Sequence, residues 1–201
     1  METNLNPTST KKKFKLTVRQ LAIVGMLSGV SIFLGVSKLG FIPLPTMKAT
    51  IMHLPVIIGA IIEGPIAGAL IGLIFGIFSM VDAFSNPSIT SFLFYNPIIA
   101  VLPRILIGVG SYYIYYLFNI KKDSLRLSVT AICGSLINTC GVLGFAYLFY
   151  AEKLSQALNL GSTKAAGIFC ATTAITNGIP EAILSALIVT PIVTAVRKFK
   201  K

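Results

Sequence analysis

Tyr95-Asn96-Pro97-Ile98-Ile99-Ala100-Val101-Leu102-Pro103-Arg104-Ile105-Leu106-Ile107-Gly108 is the stretch from which the rest of the chain is read. It is apolar enough for a bilayer, yet it carries an asparagine, two prolines and an arginine. An arginine near the middle of a membrane helix costs ~3 kcal/mol on insertion scales, so such a residue faces a partner or a water-filled cavity. The prolines free backbone carbonyls that something nearby must satisfy. That combination is expected of a helix lining a site, not of one facing lipid.

The surrounding sequence is of the same kind. Of 201 residues, 55% are hydrophobic and 11% charged, with a mean hydropathy of +0.85, whereas a soluble domain carries roughly a quarter charged residues. Apolar runs near the ~20 residues that cross a bilayer as a helix recur at 18–36, 49–62, 65–84, 92–118, 127–150 and 165–196. The expected fold is an all-α integral membrane protein, a compact bundle of six transmembrane helices. Residues 1–16 are expected to form a polar N-terminal tail and 17–201 the six-helix domain. The N-terminal lysines followed by an apolar run resemble a secretory signal, but the run is long and lacks an A-x-A-like cleavage site, so it reads as a retained first span.

The net charge of +11 does not indicate nucleic acid, because of where the charges lie. Twelve of the 17 Lys and Arg fall in three clusters: Lys11, Lys12, Lys13, Lys15 and Arg19; Lys121, Lys122 and Arg126; Arg197, Lys198, Lys200 and Lys201. With six spans these lie on one side, and the positive-inside rule makes that side, with both termini, cytoplasmic. Contact with the anionic heads of the lipid bilayer follows. Cys133, Cys140 and Cys170 fall within predicted spans, with no C-x-x-C and no neighbouring His, which argues against a metal site or a disulfide framework. No phosphate loop, H-E-x-x-H or G-x-S-x-G occurs. The chain is read as non-catalytic, with no cofactor.

Small residues and polar residues then divide the spans between packing and binding. Gly64, Gly68, Gly72 and Gly76 recur every four residues and predict a groove in which a neighbouring helix packs backbone to backbone. Gly25-xxx-Gly29 has the same character in the first span. The connection 37–48 contains Phe41, Ile42, Leu44 and Met47, which suits a lid over a cavity better than a solvated linker. The connection 151–162 reads as an external loop. Thr173, Asn177, Glu181 and Ser185, spaced by four, share one stripe of the sixth span.

The polar groups at membrane depth are Arg104, Asn96, His53, Asn138, Asn177 and Glu181. Each has a structural and a binding reading. His53 can bond a backbone carbonyl or a ligand, Asn138 can hold two helices or contact a ligand, and Arg104 with Glu181 can be a buried ion pair or exchange partners when a ligand arrives. Each Asn offers a donor and an acceptor, and Arg offers a fork that matches a carboxylate. The inferred ligand is small, polar and anionic, and the inferred activity is binding or transport.

Lys48-Ala49-Thr50-Ile51-Met52-His53-Leu54-Pro55, Glu63-Gly64-Pro65 with the glycine stripe, Asn96-Pro97, and Leu102-Pro103-Arg104-Ile105-Leu106-Ile107-Gly108 resemble the substrate-binding S components of energy-coupling factor (ECF) vitamin transporters. Among these the chain looks most like the pantothenate-specific members. The resemblance implies a vitamin bound near the outer face of the cell membrane, with the first external loop closing over it. It also implies partners, a transmembrane coupling protein and two ATPases, which supply the energy this chain lacks. S components carry an Ala-xxx-Ala docking face on the first helix, where Gly25 and Gly29 stand here. The expected substrate-binding set is Arg104, Asn96, His53, Asn138, Asn177, Tyr95, Glu181 and Lys48. Pantothenate, with one carboxylate, an amide and two hydroxyls, suits Arg104 and a ring of Asn side chains. The alternatives are another vitamin such as riboflavin or folate, and a stand-alone proton-coupled transporter working through Glu181 or His53. Lack of a detectable inverted repeat counts against the last.

Overall fold

The computed structural model describes residues 16–43 and 48–199, the side chains of 42, 43, 48 and 49 excepted. Six α-helices make up nearly all of it: α1 (Val18–Val36), α2 (Leu54–Glu63), α3 (Pro65–Ser85), α4 (Pro97–Leu117), α5 (Asp123–Ala157) and α6 (Thr163–Phe199). Between α1 and α2 the chain forms an antiparallel ribbon of two short strands, β1 (Phe41–Pro43) and β2 (Lys48–Thr50), with Phe41 opposite Thr50. Leu44 and Met47 lie outside the described residues, and so does the side chain of Ile42.

Five helices, all but α2, are long and apolar enough to cross a membrane. At ten residues, α2 rises only ~15 Å, about half the hydrocarbon thickness. It sits in the middle of the bundle against the other five helices, and Leu54 through Ile61 are all buried. The expected second span is therefore a strand, a turn and a half-length central helix. Gly64 ends α2 with φ +102, a left-handed conformation open to glycine and strained for other residues. Pro65 follows at the first position of α3, where a missing N–H is harmless.

Other boundaries follow from local chemistry. Thr17 and Gln20 form a reciprocal capping box at the start of α1, satisfying two end N–H groups. Asn96 caps α4 by accepting from the Ile98 N–H and Pro97 is its first residue, so only Pro103 interrupts the interior of that helix. The expected loop 151–162 is mostly helical: α5 breaks its dihedrals at Tyr150 (φ -136, ψ 24) and continues to Ala157. No proline or glycine adjoins Tyr150, whose ring meets Phe92 edge-on and whose hydroxyl accepts a hydrogen bond from Asn96 Nδ2 at 3.5 Å.

The glycine groove forms as expected, without Gly64. A Cβ at Gly68 would press on Ala60 and Gly108, one at Gly72 would overlap the Arg104 carbonyl, and one at Gly76 would meet Val101 and the Ala100 carbonyl. The α3 and α4 backbones therefore touch along three turns. At the end of the bundle where α1 and α6 have their outer termini, Arg19 pairs with Glu63 at 3.0 Å. At the same end Arg197 reaches Tyr115 and Asp123 and ties α4, α5 and α6 together.

Two separate hydrophobic clusters form the core. One gathers α2 with parts of the other helices and includes Ile57, Ile71, Ile107, Leu127, Ala131, Val189 and Val193. The other holds Leu93, Ile99, Ala146, Leu154, Ala166 and Cys170. Along α4 the order is Ile99, Arg104, Ile107. Along α5, Ser135, Asn138 and Thr139 fall between Ala131 and Ala146. Along α6, Thr173 to Ser185 fall between Cys170 and Val189. A polar layer therefore separates the two apolar clusters.

Candidate functional site

Arg104 enters the layer from α4 and is 5% exposed. Pro103 has no N–H to give the carbonyl four residues earlier, which is that of Ile99. The Arg104 Nη1 donates to this same carbonyl at 2.8 Å. The guanidinium lies over Phe75 at 5.4 Å and Phe94 at 5.2 Å, so it is held by a carbonyl and two ring faces. Its Nε has no hydrogen-bond partner among the described residues. Because Gly72 lets the α3 backbone rest on the Arg104 carbonyl, the glycine groove fixes the base of this side chain.

The facing wall comes from α5 and α6. Thr173, Asn177, Glu181 and Ser185 are all buried, as their spacing predicted. Asn138 and Ser135 on α5 are buried too. Asn138 Oδ1, Ser135 Oγ and Thr173 Oγ1 have no hydrogen-bond partner among the described residues. Leaving a buried polar group unpaired costs about 1–3 kcal/mol, and native interiors rarely tolerate it without a reason. Such atoms in the same polar layer as an underused guanidinium match a polar, negatively charged ligand.

Glu181 behaves differently. Its Oε1 accepts from the Thr50 backbone N–H at 2.6 Å and its Oε2 from the Thr139 hydroxyl at 2.9 Å. Among the described residues it forms no ion pair with Arg104, the two ion pairs being Arg19–Glu63 and Arg197–Asp123. His53 is fully buried at the start of α2, with Nε2 3.1 Å from Ser185 Oγ. Ser185 in turn donates to the Glu181 carbonyl at 2.7 Å. The Nε2 of the histidine thus meets a side chain of α6.

The remaining sequence candidates fall elsewhere. Asn96 serves as the α4 cap, and Tyr95 stacks on Phe84 at 4.4 Å with 40% of its surface exposed. Lys48 lies in β2, and its side chain is outside the described residues. Gly25 and Gly29 face outward from α1 with open space at both positions. The structure brings in residues that the sequence reading did not select as ligand-facing: Phe75, Phe94, Thr139, Thr50 and Thr173. Only Thr173 had a signal, its place on the four-residue stripe; the two phenylalanines look like any others in an apolar run.

A family model described as "ECF transporter, substrate-specific component" matches residues 19–193. The chain belongs to this family. It is accordingly a transport subunit and a multi-pass protein of the cell membrane, in keeping with five apolar helices of spanning length. This ECF substrate-specific component is 36% identical to the pantothenic acid transporter PanT of Lactococcus lactis subsp. cremoris (strain MG1363) over 172 residues, covering 78% of the chain and 81% of that protein. It is 38% identical to the pantothenate transporter PanT of Leuconostoc mesenteroides subsp. mesenteroides over 114 residues, covering 52% of the chain and 56% of that protein.

Proposed function

We propose that this substrate-specific component binds pantothenate in the polar layer and delivers it inward with a separate transmembrane coupling protein and two ATPases. The observation that carries the reading is that Arg104 Nε, Asn138 Oδ1, Ser135 Oγ and Thr173 Oγ1, all within the polar layer, are buried and have no hydrogen-bond partner among the described residues. Arg104 takes the carboxylate as a charge-assisted contact. Asn138, Asn177 and Thr173 take the amide and hydroxyls, and His53 borders them. Both relatives named above carry pantothenate in their names, which supports the choice of vitamin.

In this reading all six helices belong to the membrane domain, and both chain termini are cytoplasmic. Support comes from Arg19, Lys121, Lys122, Arg126, Arg197 and Lys198, which belong to the same end of the bundle, as positive-inside orientation requires. The coupling protein docks on the outer face of α1, where Ala22, Gly25 and Gly29 are exposed and would let a second helix approach closely.

Calorimetric titration of the purified protein with pantothenate tests the substrate. Saturable binding at one site is expected, and no heat with pantothenate but heat with riboflavin or folate would reassign it. Reconstituted alone in vesicles, the protein is expected to give no net uptake. Uptake that collapses with a proton gradient would instead favour an autonomous transporter.

A further inference from the structure

The β1–β2 ribbon is fastened on two sides. On the α1 side, the Gly40 N–H donates to the Leu34 carbonyl at 2.8 Å and the Ser31 hydroxyl donates to the Met52 carbonyl at 3.1 Å. On the α6 side, the hydrogen bond given by the described residues is that from the Thr50 N–H to Glu181. Thr50 is the last residue of β2 and pairs across the ribbon with Phe41. Its N–H points away from that partner, so a carboxylate covers the strand edge where another strand would otherwise pair. The second oxygen of Glu181 is held by Thr139 of α5. One carboxylate thus joins the ribbon, α5 and α6 within the polar layer.

These contacts identify Glu181 by what it lacks as well. Both its oxygens are bound to neutral donors, and among the described residues it forms no ion pair. A group recognising an anionic ligand would not be a second anion. A group releasing a strand would be one whose bond is charge-assisted when made and readily replaced by water when broken. We propose that Glu181 is the latch of the β1–β2 ribbon, a positioning residue that governs how fast ligand enters and leaves the polar layer without setting its affinity.

The proposal rests on the polar layer being the ligand site, and its test separates the two. In stopped-flow binding of pantothenate to the detergent-solubilised protein, Glu181→Ala is expected to raise association and dissociation rates together, by about 10-fold each, leaving Kd within about 3-fold. Glu181→Gln, which keeps an acceptor for Thr50 but no charge, is expected to fall between. Thr139→Val, which leaves the Thr50 bond and frees one oxygen, should show the smaller shift of the same kind. A dissociation rate that rises alone, with Kd rising in proportion, would make Glu181 a ligand contact and overturn the latch, as would unchanged rates. Hydrogen exchange without ligand provides the readout independent of substrate. Amides of residues 50–54 are expected to exchange faster in Glu181→Ala while those of α4 keep their protection, and unchanged exchange at 50–54 would overturn the latch even if pantothenate proved the wrong ligand.

Discussion

The seam between α3 and α4 and the seam between α5 and α6 lie on opposite sides of the same polar layer and are built on opposite principles. In the first, Gly68, Gly72 and Gly76 bring one backbone onto Ala100, Val101, Arg104 and Gly108, leaving no space for a side chain. In the second, Asn138, Ser135 and Thr173 bring polar atoms inward and leave them unpartnered. Lipid is as apolar as a leucine side chain, so helices in a membrane associate through close packing and polar contacts. Here the two means are segregated. On the proposed function the packed seam gives rigidity and the polar seam recognition, and Arg104 belongs to both: its carbonyl is clamped by Gly72 while its guanidinium faces the layer.

Breaking the packed seam should have the largest effect. Gly72→Val drives a side chain into the Arg104 carbonyl, and overpacking of this kind is expected to lower stability by about 3 kcal/mol or more. Thermal unfolding in detergent checks it: a normal midpoint would show the seam to be adaptable. Arg104→Ala comes next. It should weaken pantothenate binding by about 30- to 100-fold, from the ~2–3 kcal/mol of a hydrogen bond to a charged group, with a smaller loss of melting temperature. Arg104→Lys should recover only part of the affinity, because lysine keeps the charge and loses the fork; equal affinity for arginine and alanine in calorimetry would remove the carboxylate role. The smallest effect sharpens the contrast most. Thr173→Val keeps the shape and deletes an unpartnered hydroxyl, so it should cost about 5- to 10-fold in affinity while leaving the ligand-free protein as stable or slightly more so. Loss of stability in that variant would mean that the hydroxyl serves the fold.

Much of this arrangement was legible where the sequence repeats. The limits of α1 and the glycine groove could be read from periodicity, as could the Thr173–Ser185 stripe, because a helix turns residues four apart onto one face. The Arg104–Ile99 bond was legible in principle, since a proline strands the carbonyl four residues before it. Gly64 was misassigned because its spacing matches the groove while its φ serves a turn. The run from Ile51 to Ile62 concealed the half-length of α2, since hydropathy cannot distinguish a short central helix from a strand plus a span. The helical continuation past Tyr150 left no mark, because nothing near it is a helix breaker. The partner of Glu181 lies 131 residues away, and no local pattern encodes a pairing between a side chain and so distant a backbone N–H.

The half-length of α2 also has an electrostatic consequence. A helix that crossed the whole bilayer would place both its ends in the headgroup regions, where water screens them. Because α2 begins at Leu54, just after the buried His53 and beside the polar layer, its positive end, equivalent to roughly half an elementary charge, lies at membrane depth where screening is weak. On the proposed function, a carboxylate ligand entering there would be attracted by that peptide field as well as by Arg104, which would add anion affinity without a second cation in the membrane.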